Sequence, residues 1–281
     1  MNMALQMVKN LQKVNATEVY YELYRPDPAF PTVVLIHGFL SSSFSFRKLV
    51  PLLTKTFNVL LVDIPPFGQS GKGKGFQYSF SNMAHTIAML LEGLGINRCG
   101  IIGHSMGGQI SLQLAKEKPE LIEHIVLLCS LGYSQDFPKR MKYLSYLPFF
   151  SAGVKLYLQK SGLENNLQKV VYNRTLIDDE MRSGYLAPFS SRQIFGALGK
   201  MLRDKEIDLN EDELSAIKTP CLLIWGRQDE VVPLSIGRRL QKDLPNSELI
   251  ILEDTGHLLP EEKPLEIYHF IREFHQKMPL D

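Results

Sequence analysis

Cysteine is scarce: Cys99, Cys129 and Cys221 are the only three in 281 residues. Each sits in or beside an apolar run, and none has metal-ligand spacing. That excludes a disulfide framework and a cysteine-based metal motif. Such thiols pack cores in reducing compartments, so a cytoplasmic protein is expected. Net charge is nearly absent as well, with 31 basic residues against 30 acidic ones and a formal charge of +1. Nothing in that balance draws the chain to nucleic acid or to an anionic membrane. Long hydrophobic stretches are missing too. Runs such as Val33–Ile36 and Ile125–Cys129 fall far short of the ~20 residues of a membrane-spanning helix. Lys9 and Lys13 interrupt the N-terminus, so the ~7–15-residue apolar core of a signal peptide is not expected. Internal repeats and low-complexity segments are absent, and no obligate protein partner is implied.

What is there is an ordinary globular composition, 44% hydrophobic and 22% charged, over a length that supports one large domain. Six short apolar runs end in turn residues: Val33–Ile36, Val59–Val62, Gly100–Ile102, Ile125–Cys129, Cys221–Trp225 and Leu249–Leu252. They are continuous rather than alternating, as parallel strands buried on both faces are. Helical patterns lie between them. Ser81–Leu94 places Met83, Ile87, Leu90, Leu91 and Leu94 on one face and stops at Gly95, a helix-ending residue. Gln109–Ala115 and Ile236–Leu244 read the same way, and Glu18–Tyr24 reads as a strand entered through a turn near Asn15. Alternating strands and helices predict an α/β fold wound on a mainly parallel sheet.

One stretch breaks this rhythm. From Leu131 to Lys205 there is no buried-strand pattern, only helical patches rich in Met and in aromatics such as Tyr143, Tyr146, Phe149, Phe150 and Tyr157, punctuated by Pro138, Pro148 and Pro188. This predicts a helical insertion, residues 131–205, in a core made of residues 1–130 and 206–281.

Gly103-His104-Ser105-Met106-Gly107 matches G-x-S-x-G. Roughly one chain in ten of this glycine and serine content would carry the pattern by chance, so its setting decides. Here it follows the strand Gly100–Ile102 and opens the helical run Gln109–Ala115. A nucleophilic serine needs that strand–turn–helix apex to project its hydroxyl. The flanking glycines let strand and helix close, and the helix N-terminus offers its positive end to a developing oxyanion.

A serine hydroxyl needs a base. His257, in Glu253-Asp254-Thr255-Gly256-His257, follows the last strand, where this order of elements carries its base. His85, His124, His269 and His275 read as surface or packing residues, and His104 as pointing elsewhere on the elbow. An orienting acid comes from Asp229 or Asp254. Asp229 is preferred, because a loop acid beyond the neighbouring strand can reach the ring nitrogen facing away from the serine. His37-Gly38-Phe39 follows the first parallel strand, so the backbone N–H groups of Phe39 and Met106 are the expected oxyanion donors. The acidic clusters Asp178–Glu180 and Glu211–Glu213 lack interleaved histidines and read as solvated helix starts, not metal sites. The loop Asp63–Ser70 reads as scaffold.

The segments LIHGF, DIPPFGQS, GHSMGG, LLIWGRQDEVVP and TGHLLPEEKP resemble, in order and spacing, those of the α/β-hydrolase superfamily, above all bacterial carboxylesterases and monoacylglycerol-lipase-like esterases. The resemblance implies an eight-stranded, mostly parallel sheet with one antiparallel member, helices on both faces and a helical cap. It carries the nucleophile onto Ser105, the acid onto Asp229, the base onto His257 and the oxyanion donors onto Phe39 and Met106. Leu40, Leu131, Val231 and Leu258 match loop positions that often face substrate. It implies hydrolysis of short- to medium-chain or glycerol esters, without metal or organic cofactor. A carbon–carbon bond hydrolase, in which Arg192 of the cap would bind an acidic substrate, shares the triad. So do thioesterases, lactonases and perhydrolases. A ligand sensor with a retained triad is the alternative of another class.

Overall fold

The computed structural model describes residues 6–133, 143–147, 149–189, 191–206 and 208–278. Eight strands form one sheet: β1 Gln6–Val14, β2 Thr17–Arg25, β3 Thr32–Ile36, β4 Asn58–Val62, β5 Cys99–His104, β6 Ile122–Leu128, β7 Cys221–Gly226 and β8 Ser247–Leu252. Their spatial order is β1-β2-β4-β3-β5-β6-β7-β8. From β4 to β8 every pairing is parallel, and β2 alone runs the other way, antiparallel to both β1 and β4. All residues of β4, β5 and β7 are buried, which is why their sequences do not alternate.

β1 is the element the sequence conceals. It is an edge strand on which Met7, Val8 and Leu11 are 49%, 39% and 46% exposed, so it has no buried run to advertise it. The turn near Asn15 is its visible sign. Asn15 and Ala16 both have positive φ, 44° and 60°, the two-residue hairpin geometry that matches strand twist.

Helices Phe80–Gly93 and Met106–Glu117 pack against each other and, with Leu234–Asp243 and Pro264–Gln276, clothe the sheet. The buried core runs through Val33–Ile36, Leu60, Ile101, Leu127 and the fully buried Trp225. The Trp225 indole N–H donates to the carbonyl of Val232 at 2.9 Å, which fixes the loop after β7. Among the described residues, the chain between β6 and β7 holds no strand and five α-helices, from Phe150–Ser161 to Glu211–Ala216. A second apolar cluster there joins Leu167, Val171, Ile177, Met181 and Tyr185 to Leu258. Asp178 caps the helix Asp179–Leu186, and Asn210 caps Glu211–Ala216, so both acidic clusters are helix starts. Pro138 and Pro148 lie outside the described residues, as does the side chain of Tyr157. Among the described residues, no helix is long and apolar enough to cross a membrane.

Candidate active site

The turn between β5 and helix Met106–Glu117 holds Ser105 at φ 53°, ψ −117°. A non-glycine residue in that region is strained and persists only where its surroundings enforce it. Three backbone bonds do so. The Ser105 N–H donates to Leu128 at 3.0 Å, and its carbonyl accepts from Gly108 and Leu131, also at 3.0 Å. Side chains at the flanking glycines would destroy the turn. A Cβ at Gly103 would lie 2.6 Å from the Gly107 carbonyl oxygen, and one at Gly107 would run into the backbone of Ile36.

His257 and Asp229 meet in the loops beyond β8 and β7. His257 Nδ1 is 2.7 Å from Asp229 Oδ2, and both side chains are buried. Asp229 Oδ1 accepts from the backbone N–H groups of Val231 at 2.8 Å and Val232 at 2.9 Å. Burial alone would raise the Asp229 carboxyl, but the hydrogen bond and charge of His257, helped by Cys129 and the Val232 N–H, hold it below the usual carboxylate range. An ionised carboxylate accepts only, so His257 Nδ1 bears the proton and Nε2 keeps the lone pair. Asp254 lies in an exposed turn and hydrogen-bonds Tyr172.

His104 does more than point away from the elbow. Its Nε2 donates to the backbone carbonyl of His257 at 2.9 Å, and the two rings lie 4.8 Å apart. Burial, then the nearby His257, pushes His104 down to about 3, so it stays neutral and joins the serine turn to the histidine loop. His37 sits beneath the neighbouring loop. Its Nδ1 donates to the Gly38 carbonyl at 2.8 Å, and its Nε2 accepts from Ile64 N–H at 2.9 Å. Burial holds His37 below the usual imidazole range despite the opposing charge of Asp63. The loop Asp63–Ser70 thus braces the Gly38–Phe39 turn, and a Cβ at Gly38 would lie 3.1 Å from that of Ser105.

A cavity of about 310 Å³ reaches Ser105 and is mainly apolar. Phe39, Met106, Leu131 and Val231 line it together with Tyr78, Phe80, Leu198 and Met201. A larger cavity, about 790 Å³, is lined by Glu22, Arg47, Gly184, Ala187 and Pro188 among others and includes none of Ser105, Asp229 or His257. Chemistry at Ser105 requires the smaller one. Leu40 and Leu258 are placed elsewhere. Leu40 packs on the main core from a positive-φ turn, and Leu258 is buried in the second apolar cluster. The aromatics Tyr143, Tyr146 and Phe149 are 73%, 66% and 81% exposed. The helix Gln193–Asp204 contributes Leu198 and Met201 to the cavity instead. Arg192 lines a different cavity, with Lys72 and Arg203.

Glu262 went unnoticed in the sequence. Its carboxylate accepts from the N–H groups of Gly256 (2.9 Å), Tyr172 (2.9 Å) and Asn173 (3.2 Å). The Val170 carbonyl accepts from His257 and Leu258 N–H at 2.8 and 3.0 Å. The histidine loop is therefore stapled to the chain between β6 and β7 at Val170–Asn173. Only its place in TGHLLPEEKP hinted at this.

Residues 31–264 match the alpha/beta hydrolase fold family. The chain belongs to that family. It is 46% identical over 261 residues to YugF, an uncharacterized hydrolase of Bacillus subtilis strain 168, covering 93% of this chain and 95% of that one. Identity is 32% over 251 residues to RutD of Pseudomonas syringae pv. syringae strain B728a, provisionally named a carbamate hydrolase, covering 89% and 95%. Among solved structures, the 2-hydroxy-6-oxo-6-phenylhexa-2,4-dienoate hydrolase of Rhodococcus sp. strain RHA1 superposes with a TM-score of 0.80 over 97% of this chain and 100% of that one. At 23% identity that likeness is one of fold. The α/β-hydrolase family thus supplies the coarse activity, hydrolysis, and spans relatives of different bond specificity.

Proposed function

We propose that the chain is a carboxylesterase-type serine hydrolase in which Ser105, His257 and Asp229 form the triad. The observation that carries this reading is Ser105, held at positive φ on an apolar cavity, in a turn whose His104 bonds the loop of a buried His257–Asp229 pair. Ser105 Oγ attacks the ester carbonyl as His257 Nε2 takes its proton. The Met106 N–H opens a helix and has no intrahelical partner. The Phe39 N–H is spent on no other group among the described residues. Together they receive the oxyanion, each worth ~10²–10³ in rate. Imidazolium then protonates the departing alkoxide. Water, deprotonated by His257, attacks the acyl-enzyme, and Ser105 leaves with the proton. Side chains, backbone and water carry every step.

Residues 131–205 act as the cap, its last helix closing the acyl pocket. Asp204 accepts from Tyr78 N–H at 2.8 Å, and Glu206 accepts from the Ser81 hydroxyl at 2.6 Å, which ties that helix to the core. A cavity near the lower end of the usual ~300–1,000 Å³ range suits a short- to medium-chain acyl group. Its mainly apolar walls, whose charged residues Lys205 and Glu206 are of opposite sign, with Arg192 elsewhere, favour a neutral ester over an acidic dienoate. A p-nitrophenyl ester series on wild type and Ser105→Ala, run beside a carbamate and a dienoate ketone, tests the reading. Turnover of short esters, lost in the variant, is expected. Unchanged turnover in Ser105→Ala, or faster cleavage of the carbamate or ketone, would overturn it. Binding without turnover would identify a sensor.

A further inference from the structure

The end of the strands opposite Ser105 gathers a second set of chemistry-bearing side chains. Glu123 and His124 open β6, and His275 lies in the last turn of helix Pro264–Gln276. Here the pairing of β5 with β6 slips: Cys99 faces Ile122 and Gly100 faces His124, leaving Glu123 as the extra residue of a bulge. Consecutive strand residues normally point to opposite faces, but a bulge re-aims a side chain. One donor atom from each of Glu123, His124 and His275 accordingly lies within 4.8 Å of the others.

His124 is fully buried. It fits only because Gly100 has no side chain, which would otherwise meet the imidazole ring. Neither of its ring nitrogens has a hydrogen-bond partner, and Nδ1 of His275 has none either. Buried polar atoms are nearly always satisfied. Two imidazoles with unsatisfied ring nitrogens, each offering one donor atom beside a carboxylate, therefore point to a shared ligand. A ligand that accepts lone pairs would serve all three residues at once, because the carboxylate and one nitrogen of each imidazole can offer one.

Tetrahedral zinc takes imidazole nitrogen at ~2.0–2.1 Å and carboxylate oxygen at ~2.0–2.2 Å, so two ligating rings sit with centroids about 5 Å apart. The rings of His124 and His275 are 5.1 Å apart, tilted by 54°. Two imidazoles with one carboxylate suit zinc and its neighbours and disfavour magnesium and calcium. Glu123 has 26% of its side chain exposed, which opens a path from solvent. Arg98, with Nε 3.5 Å from Glu123, is the cation a metal would displace. We propose that Glu123, His124 and His275 form a binding site for a divalent transition-metal ion such as zinc, with water completing its shell. The site would join β6 to the last helix, at the end of the strands remote from Ser105.

The test is calorimetric titration of the metal-stripped full chain with Zn²⁺, and with Mg²⁺ in parallel. One equivalent of zinc should bind at micromolar concentration, with no magnesium binding, and the melting temperature should rise. His275→Ala and Glu123→Gln should each weaken zinc binding by more than about 100-fold, the upper cost of losing even an outer-shell partner. His269→Ala, an exposed histidine on the same helix, should leave it unchanged. Both ligand variants alter partly exposed side chains, so their zinc-free melts should match wild type while the zinc-induced rise disappears. Wild type without stoichiometric zinc binding, His275→Ala binding as wild type does, or His269→Ala losing as much as His275→Ala would each overturn the proposal.

Discussion

Asp229→Asn preserves shape and alters a single polar atom, yet the surrounding donors dictate how it must fail. Oδ1 faces two backbone N–H groups, those of Val231 and Val232 at 2.8 and 2.9 Å. An amide NH₂ cannot sit against two donors, so asparagine keeps its carbonyl oxygen there and turns its NH₂ to His257. His257 Nδ1, 2.7 Å away in the parent, must then accept, and the ring proton moves to Nε2. That tautomer cannot take a proton from Ser105. The same exchange in the serine-protease template lowers kcat by ~10⁴, which corresponds to about 5 kcal/mol of barrier. A loss of that order is expected here. Asp254→Asn, in its exposed turn, should change kcat by no more than about twofold. The assay is steady-state hydrolysis of p-nitrophenyl butyrate by the three proteins, with thermal melts to confirm folding. Asp229→Asn retaining more than a tenth of the parental kcat, or Asp254→Asn falling further, would refute the reasoning.

Glu262→Ala removes the acceptor for three backbone N–H groups and should cost about 1–3 kcal/mol of stability while lowering kcat. A lower melting temperature with unchanged kcat would limit Glu262 to a structural role. His104 titrates near 6.5 in the unfolded chain and at about 3 when folded. Its contribution to stability is therefore present above pH ~6.5 and lost as pH falls towards 3, by about 1.4 kcal/mol per pH unit. Denaturation midpoints measured between pH 7 and 5 should show this slope added to that of the other buried histidines, and His104→Gln should reduce it; an equal slope in the variant would contradict the assignment. Leu198→Trp should fill the cavity at Ser105 and raise KM more for hexanoyl than for acetyl esters, and equal effects on both would detach Leu198 from the acyl pocket.

The parallel strands were legible because burial on both faces writes itself as an unbroken apolar run, as in Val59–Val62. The serine turn was legible because it demands glycines at fixed offsets. β1 was hidden, since half-exposed edge residues such as Met7 and Leu11 leave no such signature. Contacts across long sequence separations were hidden as well. The bond from His104 to the His257 carbonyl spans 153 residues. The wall of the cavity at Ser105 comes from Leu198 rather than from Tyr143 or Phe149, because composition shows that a segment is aromatic but not which face it turns inward. The bulge that brings Glu123 and His124 together depends on strand pairing, which neither residue announces.

The central claim is that Ser105 is the nucleophile, and covalent capture tests it most directly. The full chain is treated with a fluorophosphonate, weighed intact by mass spectrometry and mapped by peptide. One adduct per chain on Ser105, slowed strongly by Asp229→Asn, is the predicted result. An adduct on any other residue, or an unmodified chain that still hydrolyses esters, would contradict the account.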